Sequence, residues 1–578
     1  MISIYYDGDC PFCTRYVSYL RLKEAAGEVA LVDVRRDATS LERLTQAGYS
    51  LDQGMVVEID GRAMAGAEAM HALALMTSPR GFFNKLNYYL FSHRYLALLL
   101  YPLLRMGRNL FLLLDGRSPL HEQRKDEDTR LLTLFSACWG LFSVTHAVFV
   151  FNFSEPFPST YLIGAMGVWL IFHPYCRRTL LLLFGAMLVD AWLHMPTNSN
   201  HTILKNFFLL AVLLAGLYSA LRGRGWAAFF RDVVPIGRAL LLIMYVFGVF
   251  HKINTGFLNP DVTCAMALWQ EMPPPLQWLN TTWFAYLASY GTLVIESVIL
   301  VFLLIPSLRH WGILVGIVFH LFLALSGYAF YVAFSMLSLV MHVLFLTPQA
   351  AGRIIDAPLW RRAMGLWNSF WGKLLILAYG FALILNSAMG SYTTVALLWF
   401  AVVLPLCWLI LQHGKEPVQN EPRNIFISRR WWLNVVTLLF FFNCITPYLG
   451  LKTAQSMNMF ANLRLEGGAS NHLVLRNAPG PFGYLEDVVA IHSVSGSPLL
   501  NYVQRKNLHV TYYFLLDHLD RNPWVIVTYE RDGEVYPHMT EMNLRDEMER
   551  VLHPRWFRNW FHFRIVDLKE PTVCENSR

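Results

Sequence analysis

From Leu131 onward, apolar runs of helical length recur along the chain, whereas residues 1–80 and 451–578 alternate apolar and polar positions on a shorter scale. The long runs fall near 131–152, 159–174, 179–195, 202–221, 238–254, 283–306, 309–327, 329–347, 372–389, 392–412 and 431–449, which predicts about eleven spans. The run 159–174 is short, and the pair around Gly327 can be divided differently. Residues 1–80 read as a small α/β unit. A strand over 2–6 leads through a cysteine-containing turn to a helical pattern over 16–24. Strands follow over 29–34 and 55–59, the latter turned by Asp60-Gly61, and a helix over 67–76 closes the unit. Residues 82–114 are apolar but interrupted by Arg94, Arg105 and Arg108, which favours helices lying on a membrane surface. The tail carries strand-like runs over 488–492, 509–516 and 525–529 and a turn at Asp532-Gly533. The expected organisation is an α/β domain over 1–110, a linker over 111–130, a helical membrane domain over 131–450 and a β-rich domain over 451–578.

Composition supports this division. Of 578 residues, 55% are hydrophobic and only 15% charged, too apolar a balance for an ordinary soluble enzyme and too ordered a pattern for a disordered chain. The net charge of +7 could suggest nucleic acid, but the basic residues sit between apolar runs, where they orient the chain in a membrane. One alternating set of connections holds Arg177, Arg178, Arg222, Arg224, Arg231, Arg238, Arg309, Arg353, Arg361, Arg362, Lys415, Arg423, Arg429 and Arg430. The other set, 153–158, 196–201, 255–282 and 390–391, contains no Lys or Arg. The positive-inside rule then places residues 1–130 in the cytoplasm and 451–578 outside, as expected for a bacterial inner-membrane protein. The amino end has no basic n-region and reads as no export signal.

Two constellations carry chemistry. The first is Asp7-Gly8-Asp9-Cys10-Pro11-Phe12-Cys13, a Cys-x-x-Cys after a strand and at the opening of a helix. The helix N-terminus favours a thiolate on the first cysteine, and the second is close enough to resolve a mixed disulfide. Half of a zinc site is a weaker reading because no second cysteine pair exists in a soluble segment. An Asp7/Asp9 phosphotransferase is weaker still, for want of room for its core. The second constellation consists of ionisable groups in apolar surroundings: His146, Asp190, His194, Lys205, His251, Lys252, Glu296, His320 and His342. His146 and His342 read as packing groups. Lys252 lies near the outer end of its span with Gly248 one turn earlier on the same face, leaving a ligand room to approach. A desolvated amine there can act as a base, although a snorkelling lysine fits the same position. His201 and Lys205 share a face of another span at i, i+4. The seven histidines of the tail match no metal motif, and no metal is expected. Cys264 and Cys574 both fall on the outer side, where a disulfide is chemically allowed.

Both constellations resemble known families. The motif at Asp9–Cys13, the strand end Asp33-Val34-Arg35 and Gly66-Ala67-Glu68-Ala69 resemble the DCC family of thiol-disulfide oxidoreductases over about the first 110 residues. That resemblance implies a thioredoxin-like fold in which Cys10 attacks and Cys13 resolves. One departure is the lack of a proline before the 55–59 strand, where thioredoxins place a cis-proline facing the dithiol. Asn200-His201-Thr202, Gly248 to Lys252, Glu296 and Phe319-His320 resemble the vitamin K-dependent γ-carboxylase-like (HTTM) membrane domain over roughly 125–350. That resemblance implies a reduced, vitamin K-like quinone deprotonated by Lys252, with oxygen and carbon dioxide as co-substrates. Oxygen addition would give an epoxide and an alkoxide base acting on a glutamyl carbon. His201 would support carboxylation, and Lys205, Gly248, His251, Glu296 and His320 would bind the cofactor. The partners implied are membrane lipids, quinone and a protein or peptide substrate on the outer side, with no nucleic acid.

Three functions follow. The first is an integral-membrane redox enzyme joining the dithiol to quinol chemistry. The second is a tethered thiol-disulfide oxidoreductase with the spans as an anchor. The third is a transporter or sensor lined by Lys205, Glu296 and His320.

Overall fold

A computed structural model describes residues 2–574 except 9, 21–27, 52–53, 79–80, 115–128, 151–157, 196–198, 416–424 and 477–481. The expected linker and the expected outer connection at 153–158 therefore lie largely outside the described residues, as do residues 196–198 and Arg423. The chain divides into two compact units.

The first unit comprises Met1–Leu132, Pro174–Leu182 and Val212–Val233. Its sheet has four strands in the order Val29–Asp33, Ile2–Tyr6, Val56–Ile59, Arg62–Ala65. The first pair is parallel and the other two are antiparallel. Alternation along the strands separates two cores. Ile2, Ile4 and Val57 pack with Val17, Leu73 and Phe91 on one face, while Tyr5 and Val56 pack with Val34, Leu44 and Leu51 on the other. The first helix is Pro11–Tyr19, not 16–24. It starts early because Cys10 caps it and Pro11 takes the first helical position, where no amide hydrogen is needed. Residues 21–24 of that expectation are outside the described residues.

Residues 82–114 form the helices Phe82–Phe91 and Arg94–Leu114. One face of the pair joins the sheet's core through Phe91, Ala97, Leu100 and Tyr101. Leu98, Leu99, Leu103 and Leu104 stay exposed on the other. Within the same unit, Asn109 Nδ2 donates to the Ala220 carbonyl at 2.8 Å, and Arg105 Nη2 to that of Leu221 at 3.3 Å.

The second unit comprises Thr133–His173, Leu183–Ala211 and Val234–Arg578. Among the described residues of the whole chain, seven helices are long and apolar enough to cross a membrane: 130–148, 200–222, 226–250, 282–304, 306–324, 370–388 and 392–413. An eighth arises if 331–343 and 348–356, bent by 114°, form one broken span. Eleven spans are thus not reached. The expected segments 159–174 and 431–449 form shorter helices, and Arg177–Leu193 has only 17 residues. At 1.5 Å per residue such a helix covers about 25 Å, short of a hydrocarbon core of about 30 Å. The division at Gly327 is real, since its φ of +75° ends one helix before the next begins at Ala329.

The tail contains a second, antiparallel sheet in the order His509–Thr511, Val488–Ser495, Ile526–Arg531, Glu534–Met539. The Asp532-Gly533 turn joins its last two strands. The expected strand over 509–516 stops at Thr511, whose hydroxyl accepts from the Phe514 amide and caps the helix Tyr512–Arg521. Tyr512, Leu515, Leu516 and Leu519 then bury one helical face, so this region contains a sheet and helices together. Cys264 and Cys574 are joined as a disulfide.

Candidate functional site

The dithiol sits where three separate stretches of the first unit converge. Cys10 is the N-cap of Pro11–Tyr19, and its Sγ accepts the amide hydrogen of Cys13 at 3.2 Å. Just upstream, the Gly8 amide donates to Asp33 Oδ1 at 3.0 Å. A Cβ on Gly8 would lie 2.1 Å from Asp33 Oδ2, so a larger residue here would displace the carboxylate that binds the Gly8 amide. Arg35 grips Asp7 through Nε and Nη2 at 2.8 and 3.2 Å. The Asp33-Val34-Arg35 string thus holds the Asp7-Gly8 turn that presents the dithiol.

Arg108 supplies the positive charge. It is buried, with Nη2 3.6 Å from Asp7 Oδ2, and its field reaches Cys10. Hydrogen bonding from Cys13, then the Arg108 charge, outweighs burial and lowers the Cys10 thiol to about 6. The Cys13 thiol is pushed upward by its hydrogen bond to Cys10 and by burial. The two sulfurs are therefore set apart, one a readily ionised thiol and its neighbour a held thiol, the arrangement that an attacking and a resolving cysteine require. Cys10 itself is fully buried, whereas Phe12 is 55% exposed and meets Phe111 edge-on at 5.2 Å. A disulfide substrate reaches Cys10 only if residues at this mouth move.

The sequence singled out Cys10 and Cys13, held Asp7 in the same motif and Arg35 in the family-like strand end without assigning either a role at the dithiol, and gave no sign of Arg108 or Tyr101 there. Tyr101 approaches Gly54, two positions before the Val56–Ile59 strand: a Cβ there would lie 1.6 Å from its hydroxyl. The only local signal for the Arg94–Leu114 residues was a set of arginines in an apolar run. Read as marks of a surface helix, they include Arg108, the cation beside Cys10.

The second candidate site lies within the second unit. A cavity of about 400 Å³ is walled mainly by apolar side chains, among them Phe257, Leu268, Trp269, Tyr331 and Phe460. His201, Gly248, Lys252, Glu296 and His320 also line it. Lys252 follows the last turn of Trp226–Phe250, and Glu296 comes from the middle of Thr282–Leu304. Lys252 Nζ donates to Glu296 Oε1 and Oε2 at 2.8 and 2.7 Å, both residues being buried. These contacts have the geometry of an ammonium–carboxylate pair, which replaces the picture of a lone desolvated amine. A Cβ on Gly248 would lie 3.5 Å from Glu296 Oε2 and 4.0 Å from Lys252 Nζ, so this glycine forms the wall next to the pair.

Not every expected residue joins this cavity. His251 faces the C-terminal segment: Nε2 donates to the Ser456 carbonyl at 3.0 Å, which leaves Nδ1 to accept from the Tyr448 hydroxyl at 2.7 Å. It is not among the lining residues. Lys205 lies 3.9 Å from Asp190, which also meets His146 at 3.1 Å and His194 at 3.3 Å. His201 bridges the two neighbourhoods, lining the cavity while sharing a helix with Lys205 and pairing through Nδ1 with Ser199 Oγ at 2.8 Å. Among the described residues, no three His, Cys, Asp or Glu side chains form a metal-binding group.

Comparison with known proteins bears on the first site. Residues 4–113 match the DCC1-like thiol-disulfide oxidoreductase family. The match includes Cys10, Cys13, Asp33, Arg35 and Arg108 and ends with the helix that carries Arg108. No curated protein and no solved structure matches the chain.

Proposed function

We propose that the protein is a membrane-embedded thiol-disulfide oxidoreductase whose thioredoxin-like amino-terminal domain works through Cys10 and Cys13. The observation that carries this reading is Cys10 at a helix N-terminus, hydrogen-bonded by Cys13, near the Arg108 charge and with its thiol lowered to about 6. The Cys10 thiolate attacks one sulfur of a substrate disulfide, forming a mixed disulfide and expelling a thiolate. Cys13 then gives up its proton and attacks Cys10 Sγ. The Cys10–Cys13 disulfide forms, the second substrate sulfur leaves, and two electrons have passed to the substrate. A thiol reductant returns the dithiol to its starting state. Reduction of a peptide disulfide by the full chain in nanodiscs tests this. Cys10→Ser should lower the rate by at least about a thousandfold, since the nucleophile is gone. An undiminished rate refutes the assignment.

A second reading is favoured by the buried Lys252–Glu296 pair in an apolar cavity. It takes the cavity as the site of a lipophilic reduced quinone, the class that the carboxylase-like motifs imply. Such a ring, when bound, would supply an acidic hydroxyl whose oxidation drives further chemistry, with oxygen and carbon dioxide as co-substrates. In this reading Glu296 would share the Lys252 proton, and Lys252 would be the group that takes a hydroxyl proton from such a ring and holds it as an ammonium beside Glu296. His201 lines the same cavity, and in this reading it would support a later carboxylation step. Lys252→Ala should abolish quinol epoxidation in membranes, and unchanged turnover sinks the base assignment.

A further inference from the structure

The helix Arg94–Leu114 carries the cation of the dithiol on one face and an uncovered apolar stripe on the other. At 3.6 residues per turn, Ala97, Tyr101 and Arg108 fall within about 40° of one another around the helix axis. Ala97 and Tyr101 pack into the core of the four-stranded sheet, and Arg108 reaches Cys10. Tyr95, Leu98, Leu99, Leu103 and Leu110 fall on the opposite side by the same count. All five are exposed, Tyr95 to 87% and Leu99 to 68%. Large apolar side chains lined up along a helix in this way mark an interaction surface.

Two hydrogen bonds within the first unit locate that surface. Asn109 Nδ2 and Arg105 Nη2 donate to the carbonyls of Ala220 and Leu221, which lie in the last turn of the helix Asn200–Arg222. Carbonyls of a last turn have no partner further along their own helix, so they are open to such donors. Asn200–Arg222 is long and apolar enough to cross a membrane, and its end fixes the Arg94–Leu114 helix at the level where the hydrocarbon stops. Leu213, Leu217 and Leu221, one turn apart from each other, are exposed and read as its lipid-facing side. The apolar surface thus passes from the span to the stripe at Leu221. Arg222, exposed at the same end, supplies a cation for anionic headgroups.

We propose that the stripe from Tyr95 to Leu110 is seated in the lipid at the membrane boundary, and that the dithiol, on the far side of the same helix, takes its disulfide substrates from water. An α-helix with its side chains is about 10 Å across, so this one stands between the hydrocarbon and Cys10. A disulfide dissolved among acyl chains has the helix in its way, whereas a soluble one meets the mouth at Phe12. The inference rests on the reading of Cys10 and Cys13 as a disulfide-reducing pair, and it adds the phase from which the substrate arrives.

The test uses the full chain in phospholipid nanodiscs and has two arms. In the first, Leu99→p-benzoylphenylalanine and Leu103→p-benzoylphenylalanine should form phospholipid adducts on irradiation, and Phe12→p-benzoylphenylalanine should form none. Leu99 and Leu103 are exposed, so the bulky group disturbs no packing there. In the second, the native chain should reduce bis(2-hydroxyethyl) disulfide, which stays in water, and leave didodecyl disulfide, which stays in the bilayer, untouched. Both probes are dialkyl disulfides, so they differ in partition far more than in reactivity. Absence of lipid adducts at Leu99 and Leu103, adducts at Phe12, or equal reduction of the two probes each overturns the inference while leaving the dithiol a reductase. Reduction of neither probe, nor of a peptide disulfide, overturns that reading instead.

Discussion

Arg108 Nη2 lies 3.6 Å from the carboxylate of Asp7, which places the guanidinium of a distant helix at the turn that opens the dithiol helix. Because Arg35 already holds Asp7 through two hydrogen bonds, the carboxylate does not cancel Arg108 alone, and its positive field also reaches the Cys10 sulfur. A helix outside the four-stranded sheet thereby adds to the Cys13 hydrogen bond in lowering the Cys10 thiol.

Removing that charge should return Cys10 toward an ordinary thiol. With a folded-state value of about 6, most Cys10 is thiolate at pH 7, and alkylation should follow a titration with its midpoint near 6. In Arg108→Met the midpoint should move up toward 8.5, and the iodoacetamide rate at pH 7 should fall by roughly 3- to 10-fold. An unmoved midpoint would mean that the Cys13 hydrogen bonds alone suffice.

The same shift has a sign for stability. The Cys10 value is depressed on folding, so its contribution is fully present above the unfolded-state value, about 8.5, and is lost as pH falls through about 6. Cys13 is raised, so its contribution is present below that unfolded value and is lost as pH rises above it. In the reduced protein, the melting temperature of the amino-terminal domain relative to Cys10→Ser should therefore increase between pH 5 and 8. A relative melting curve flat over that window contradicts the assignment.

Gly8→Ala should be more damaging than its size suggests. The added carbon would meet the Asp33 carboxylate at 2.1 Å, forcing that side chain off the Gly8 amide. A loss of about 1–3 kcal/mol is expected, from overpacking plus a lost hydrogen bond. Thermal unfolding together with slower Cys10 alkylation checks it.

The buried pair of the second unit should show the asymmetry of buried charges. Lys252→Met or Glu296→Met alone strands an uncompensated ion and should cost about 3–5 kcal/mol, whereas the double variant should recover much of that loss. Melting of the single and double variants in nanodiscs reads this directly. Additive losses would show that the two groups are not coupled.

These sites differ in how far they could be read from the chain. The strand at Ile2–Tyr6, the hairpin at Asp60-Gly61 and the helix Ala67–Met76 follow from short-range periodicity and turn chemistry, which a sequence displays locally. The helix start at Pro11 and the switch at Thr511 were misplaced because capping outweighed the apolar pattern that suggested other limits. The Cys10/Cys13 pair announced itself by spacing. Arg108 did not, since its approach to the motif depends on how the Arg94–Leu114 helix packs on the sheet. Lys252 and Glu296 were both singled out as costly intramembrane charges, yet their direct contact follows from the packing of two spans and has no local signature. His342 reads as a packing histidine, and its 3.2 Å contact with the Tyr245 hydroxyl, made between two helices, likewise has no local signature.

The most direct test of the account traps the chemistry at the dithiol. In Cys13→Ser, the full chain in nanodiscs treated with a peptide disulfide should accumulate one mixed disulfide, and peptide mapping should place it on Cys10. An adduct on another cysteine, or none while peptide reduction proceeds unchanged, would contradict the account.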